Sequence, residues 1–128
     1  MVRLTIDSQK DAYPLDPAKL EALQSGRNST RLDPGTYRIC IQSGEFRYGS
    51  TGNRSFPPEP WVILRIYGGK VINRQTGKAV GCTWSSLNGY SDILTLQVLE
   101  PACISAIFFD TRTRNNWGLV RVSIERIP

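Results

Sequence analysis

A chain of 128 residues with 40% hydrophobic and 21% charged content has the size and composition of one globular domain that needs no staples to fold. Its formal net charge of +5 admits an anionic partner, but the lysines and arginines are scattered without a basic stripe, which argues against nucleic acid. Histidine, the commonest general base and transition-metal ligand, is missing, and Cys40, Cys82 and Cys103 are too far apart for a zinc motif or a disulfide framework.

The alternation from Val2 to Ile6 predicts a short strand, followed by a polar, extended stretch from Asp7 to Leu15. Asp16-Pro17 reads as an N-cap followed by proline at the first helical position. A short helix follows, with Leu20 and Leu23, flanked by Ala18 and Ala22, as its apolar stripe. Gly26 stops it, and Arg27 to Arg31 reads as a polar linker. Residues 1–30 are therefore expected to form an N-terminal arm, distinct in character from a body over 31–128. Fully extended, its first fifteen residues reach roughly 50 Å, enough to dock on the chain's own body or on a neighbour. The first residues contain no apolar stretch of the kind a signal peptide needs, so synthesis in the cytoplasm is expected. Trp61 to Tyr67, the longest near-apolar run, contains Arg65 and is too short to cross a bilayer, so no membrane partner is expected.

From Leu32 onward the pattern is β. Asp33-Pro34-Gly35 is a turn, and Tyr37, Ile39 and Ile41 alternate with polar neighbours as in a half-buried strand. Ser43-Gly44 breaks that strand, Phe46 and Tyr48 follow, and residues 49–60 form a long loop. Trp61 to Tyr67 is a strand with Val62, Leu64 and Ile66 on its buried face. Gly68-Gly69 reads as a two-residue hairpin returning into Lys70-Val71-Ile72, and Asn73 to Val80 as a polar loop. Cys82 to Trp84 is a short strand and Asn88-Gly89 a turn. Ile93 to Leu99 follows with Leu94, Leu96 and Val98 inward, then a turn at Glu100-Pro101. Cys103 to Phe109 places Ile104, Ala106 and Phe108 on one face. Leu119 to Ile127 closes the fold with Val120, Val122 and Ile124 inward. Seven or eight short strands at this spacing predict an all-β, antiparallel two-sheet β-sandwich of jelly-roll or lectin-like type, its sheets about 10 Å apart, with one small helix in the arm.

The stretch from Phe108 to Ile124 stands out. Two apolar runs flank a loop with one carboxylate, Asp110, two adjacent amides, Asn115 and Asn116, and two guanidinium groups, Arg112 and Arg114. Oxygen-bearing side chains gathered in one turn suit calcium or a sugar hydroxyl. They also suit a hairpin tip whose Asp and Asn side chains bond their own backbone, the reading that local sequence alone favours. Trp117 at the loop's end either stacks on a sugar ring or packs against the loop over 49–60.

Three pieces of the chain, taken in order, resemble the calcium-dependent galactose-binding bacterial lectins of the PA-IL (LecA) type. They are Asp33-Pro34-Gly35 leading into a strand, Ser43-Gly44-Glu45-Phe46-Arg47-Tyr48-Gly49, and Phe109-Asp110 through Asn115-Asn116 and Gly118 to the alternating strand ending at Ile124. The resemblance spans about Leu32 to Ile127 and implies a small β-sandwich. It also implies one calcium ion held by the backbone carbonyl of Tyr48 and the side chains of Asp110, Thr113, Asn115 and Asn116, with two galactose hydroxyls on the same ion. In this chain the loop after Asp110 is shorter than the family's and carries Arg112 and Arg114, and the family's sugar-contacting histidine has no counterpart.

Two functions are expected. One is a non-enzymatic assembly module, for example a virus capsid decoration or cement protein, gripping a protein partner or its own copies in a shell or oligomer. The arm motivates it, as do arginine and aromatic residues expected at loop tips, Arg112, Arg114, Trp117, Trp84 and Tyr90, types enriched at interfaces. The alternative is a calcium-dependent lectin for galactosides. Catalysis is not expected: Asp92 and Glu100 fall in different turns, Ser85-Ser86 lacks a nucleophile-elbow context, and the glycines make no phosphate loop.

Overall fold

The computed structural model describes residues 1–46, 58–110, 116 and 118–128. Among them run one helix, α1 (Pro17–Leu23), and the strands β1 (Ser29–Leu32), β2 (Gly35–Gly44), β3 (Trp61–Asn73), β4 (Lys78–Asn88), β5 (Ile93–Glu100), β6 (Ala102–Ile107) and β7 (Val120–Ile127). Every strand pairing is antiparallel. The hydrogen-bonded order is β1-β6-β3-β5-β2-β7, with β4 on the other edge of β3. The result is a mostly antiparallel β chain with one short helix, its strands joined in one curled sheet.

The curl has a local cause. Strand β3 changes partner along its length: Ile63 to Tyr67 pair with β6, whereas Lys70 to Asn73 pair with β5. The change falls at Gly68-Gly69, where the register with β4 also slips. A β-bulge of this kind bends a strand and increases its twist. Gly69 has to be glycine, because a Cβ there would lie 2.1 Å from the Pro101 carbonyl oxygen and 2.7 Å from that of Glu100. Pro101 separates β5 from β6, and Asp33-Pro34 separates β1 from β2. Two successive strand pairs therefore bend at proline beside the glycine bend of β3, and a crease runs across the sheet. Arg31, Gly68, Gly69, Glu100 and Pro101 line a shallow hollow along it.

The inward faces follow the period of two. Tyr37, Ile39 and Ile41 of β2, Val62, Leu64 and Ile66 of β3, and Leu94, Leu96 and Val98 of β5 are all buried, and with Val71, Leu87 and Ile104 they form one core. On β6 the expected face is only partly right. Ile104 is buried, but Ala106 and Phe108 are half-buried, and Ser105 on the opposite face is fully buried. Its hydroxyl lies 2.6 Å from that of Ser29. Cys40 and Cys103 are half-buried strand residues, Cys82 is exposed, and all three thiols are free.

Several local readings are corrected. Gly68-Gly69 makes no hairpin: β3 runs through it, and the chain reverses at residues 74–77, after Asn73. There the Asn73 side chain accepts from the Gln75 amide and the Asn73 carbonyl accepts from Gly77. The polar stretch from Asn73 to Val80 is mostly turn and strand, and Cys82 to Trp84 belongs to the longer β4. Residues 27–31, expected as linker, include Ser29 to Arg31, the first three of the four β1 residues that pair with β6.

The helix forms where its caps require. The Asp16 carboxylate accepts from the Ala18 and Lys19 amides, and Pro17 occupies the first helical position. Val2 to Ile6 is not a strand in this chain. Its apolar residues stand in solvent, with Val2 89%, Leu4 86% and Ile6 73% exposed. The next residues close a turn in which the Asp7 carboxylate accepts from the Gln9 and Lys10 amides. Those bonds, that from Lys10 first, hold the Asp7 carboxyl below its ordinary pKa. Besides the pairing of Asn28 to Thr30 with β6, the arm meets the body at the end of its helix, where Arg65 of β3 donates to the Gln24 side chain.

Candidate functional site

At one end of the sheet, β2 finishes where β7 begins. Gly44 pairs with Val120, and the Leu119 carbonyl oxygen lies 1.9 Å from where a Gly44 Cβ would stand. The Tyr90 hydroxyl donates to the Gly44 carbonyl, tying the turn after β4 to the same place. Phe46 then pairs with Glu59 in an isolated antiparallel bridge. Phe108 stacks tilted on both Phe46 and Trp61, with ring centroids 4.2 and 4.6 Å apart. These three rings support the base of the loop that leaves β6.

Asp110 lies just beyond this aromatic support and is exposed. Asn116 is half-buried, and its side-chain oxygen is out of reach of solvent without a hydrogen-bond partner. A buried amide oxygen left in this state is uncommon and calls for a ligand or strain to explain it. It is a hard neutral donor of the type calcium accepts. Tyr48, Arg112, Thr113, Arg114, Asn115 and Trp117 lie outside the described residues, as does the loop over 49–60 up to residue 57. Of the expected calcium ligands, Asp110 and Asn116 are thus the two whose placement is described. Among the described residues, no three His, Cys, Asp or Glu side chains converge as a metal site.

Trp84, expected at a loop tip, sits instead within β4, opposite Arg65 of β3. The Arg65 guanidinium lies over the Tyr67 ring at 4.6 Å and over the Trp84 ring at 5.6 Å from the centroids. Such stacking, with the bond to Gln24, fastens the helix end to the outer face of the sheet. Tyr90 is on a turn, as expected, and 53% exposed.

One feature is not foreshadowed by the sequence. β1 and β7 end the strand order, and the curl leaves a groove of about 600 Å³ between them. Thr30 lies on the β1 side, Val120, Val122 and Ile124 on the β7 side, and Leu64 and Ile104 at the base. The three β7 side chains, expected inward, pack against the core yet are only half-buried, because the groove opens over them. Alternation on β7 marks its apolar face, but a sequence does not reveal which strands will lack a neighbour.

The chain matches no protein-family model, no curated protein and no solved structure.

Proposed function

We propose that the chain is a non-enzymatic structural and binding module. Its curled sheet is read as a lectin-like β-sandwich, the two layers arising where bent strands fold back across the crease. The module attaches to a larger assembly, of which a virus capsid decoration or cement layer is an example, through its N-terminal arm and loops. One observation carries this reading: an alternating apolar segment, Val2, Leu4 and Ile6, is held clear of the chain's own core at 73–89% exposure. Three aliphatic side chains kept in water forgo on the order of 1.5–3 kcal/mol each, a cost that burial against a partner removes. Sedimentation velocity of the fluorescently labelled chain, alone and in native extract, tests it. The full chain is expected to sediment as a larger species in at least one condition, and a chain lacking residues 1–15 as the monomer in both. Monomeric sedimentation of both chains throughout would end this reading.

A second reading is a calcium-dependent galactoside lectin, favoured by the buried, unpartnered Asn116 oxygen beside the Asp110 loop. It predicts a calorimetric calcium signal and calcium-dependent glycan binding, both abolished by Asp110→Ala. Titration with no calcium heat, together with a blank glycan array, removes it.

A further inference from the structure

We infer that the groove between β1 and β7 receives the first residues of the arm of a second copy of this chain, laid in as an added strand. The inference rests on the assembly reading above and names the partner. β7 pairs on one side only among the described residues, so its other edge has backbone donors and acceptors for a further strand, whereas four-residue β1, whose Ser29 amide donates to Gly26, supplies mainly the facing wall. An extended segment laid there gains backbone hydrogen bonds, and its alternate side chains gain apolar pockets, which is the logic of strand addition.

The arm supplies the matching segment. Val2, Leu4 and Ile6 repeat every second residue, as Val120, Val122 and Ile124 do on the β7 wall. Both triplets span about 13 Å in strand conformation.

The geometry favours another copy over the chain's own arm. The helix end is held by Arg65, and Arg65 alternates with the inward-facing Leu64 and Ile66 of β3. The residues before Gln24 are therefore tethered on the outer face of the sheet, whereas the groove, which the chain lines only from residue 27 onward, is floored by Leu64 on the inner one. In its own chain the triplet stays in solvent and the groove stays open. Exchange between copies fills both, and it is self-complementary: each copy gives an arm and takes one, as a two-fold arrangement requires.

Photo-crosslinking in the full chain tests this. A benzophenone side chain is placed at position 4 of an isotopically light chain, which is mixed with excess heavy chain and irradiated. The expected products join position 4 of the light chain to heavy peptides carrying β1 or β7. In parallel, the double substitution L4D/I6D is expected to weaken self-association at least tenfold by sedimentation equilibrium, with an unchanged circular dichroism spectrum, since neither residue touches the core. Crosslinks within one light chain, crosslinks to other segments, or association that survives L4D/I6D each overturn the strand exchange and leave the assembly reading standing. A full chain that stays monomeric alone yet binds a larger particle through its arm overturns the exchange alone. A chain that binds nothing overturns both.

Discussion

Gly44→Ala is expected to lower the unfolding free energy by about 3 kcal/mol or more. Two costs combine. Gly44 has φ +92°, a conformation that side-chain-bearing residues adopt at a cost of about 1–3 kcal/mol. Its Cβ would also stand 1.9 Å from the Leu119 carbonyl oxygen, which is backbone and cannot swing aside. Relief requires the start of β7 to move off β2, which breaks the pairing of Gly44 with Val120 and disturbs the Tyr90 bond to Gly44. Gly77→Ala is the matched control: φ there is +72°, but nothing lies within 4 Å of the added Cβ. Equilibrium urea unfolding of both variants separates the two costs, because Gly77→Ala carries only the conformational one. Equal midpoints for the two variants would show that β7 does not approach Gly44 as described.

Leu96→Ala is expected to cost about 2–5 kcal/mol, the range for a large-to-small change at a site that cannot collapse. Leu96 has no exposed surface and sits centrally, paired with Tyr37 on β2 and Asn73 on β3. For a chain with a total stability of roughly 5–15 kcal/mol, such a loss approaches the threshold of unfolding. Thermal unfolding should show it as a drop on the order of 10 °C. Val120→Ala offers the comparison. Val120 is half-buried at the open groove, so in the isolated chain its truncation costs about 1 kcal/mol or less. A Leu96→Ala midpoint within a degree or two of the parent would contradict the packing of the core.

The alternating residues of β2, β3 and β5 made the core readable from the sequence. Tyr37, Ile39, Ile41, Val62, Leu64, Ile66, Leu94, Leu96 and Val98 all face inward as their period requires. Asp16-Pro17 was readable too, because capping is a local matter of one carboxylate and two amides. Gly68-Gly69 is ambiguous in the sequence because a hairpin and a bulge use the same residue for different reasons. A hairpin needs glycine for its dihedral angles; here Gly69 makes room for the Pro101 carbonyl, which is thirty-two residues away in the chain. Val2 to Ile6 has a strand's pattern but no partner strand in its own chain, and pattern alone does not hold a strand together. Of the candidate calcium site, Asp110 and Asn116 fall among the described residues, and the buried state of the Asn116 oxygen is a tertiary fact that no spacing announces.

The crease has a thermodynamic consequence. β3 and β4 run unbroken through it, and the short links at Asp33-Pro34 and Pro101 carry the chain across it twice more. Val71 and Leu64, on opposite sides of the bend, belong to one core. Melting is therefore expected as a single cooperative event, with calorimetric and van't Hoff enthalpies in agreement.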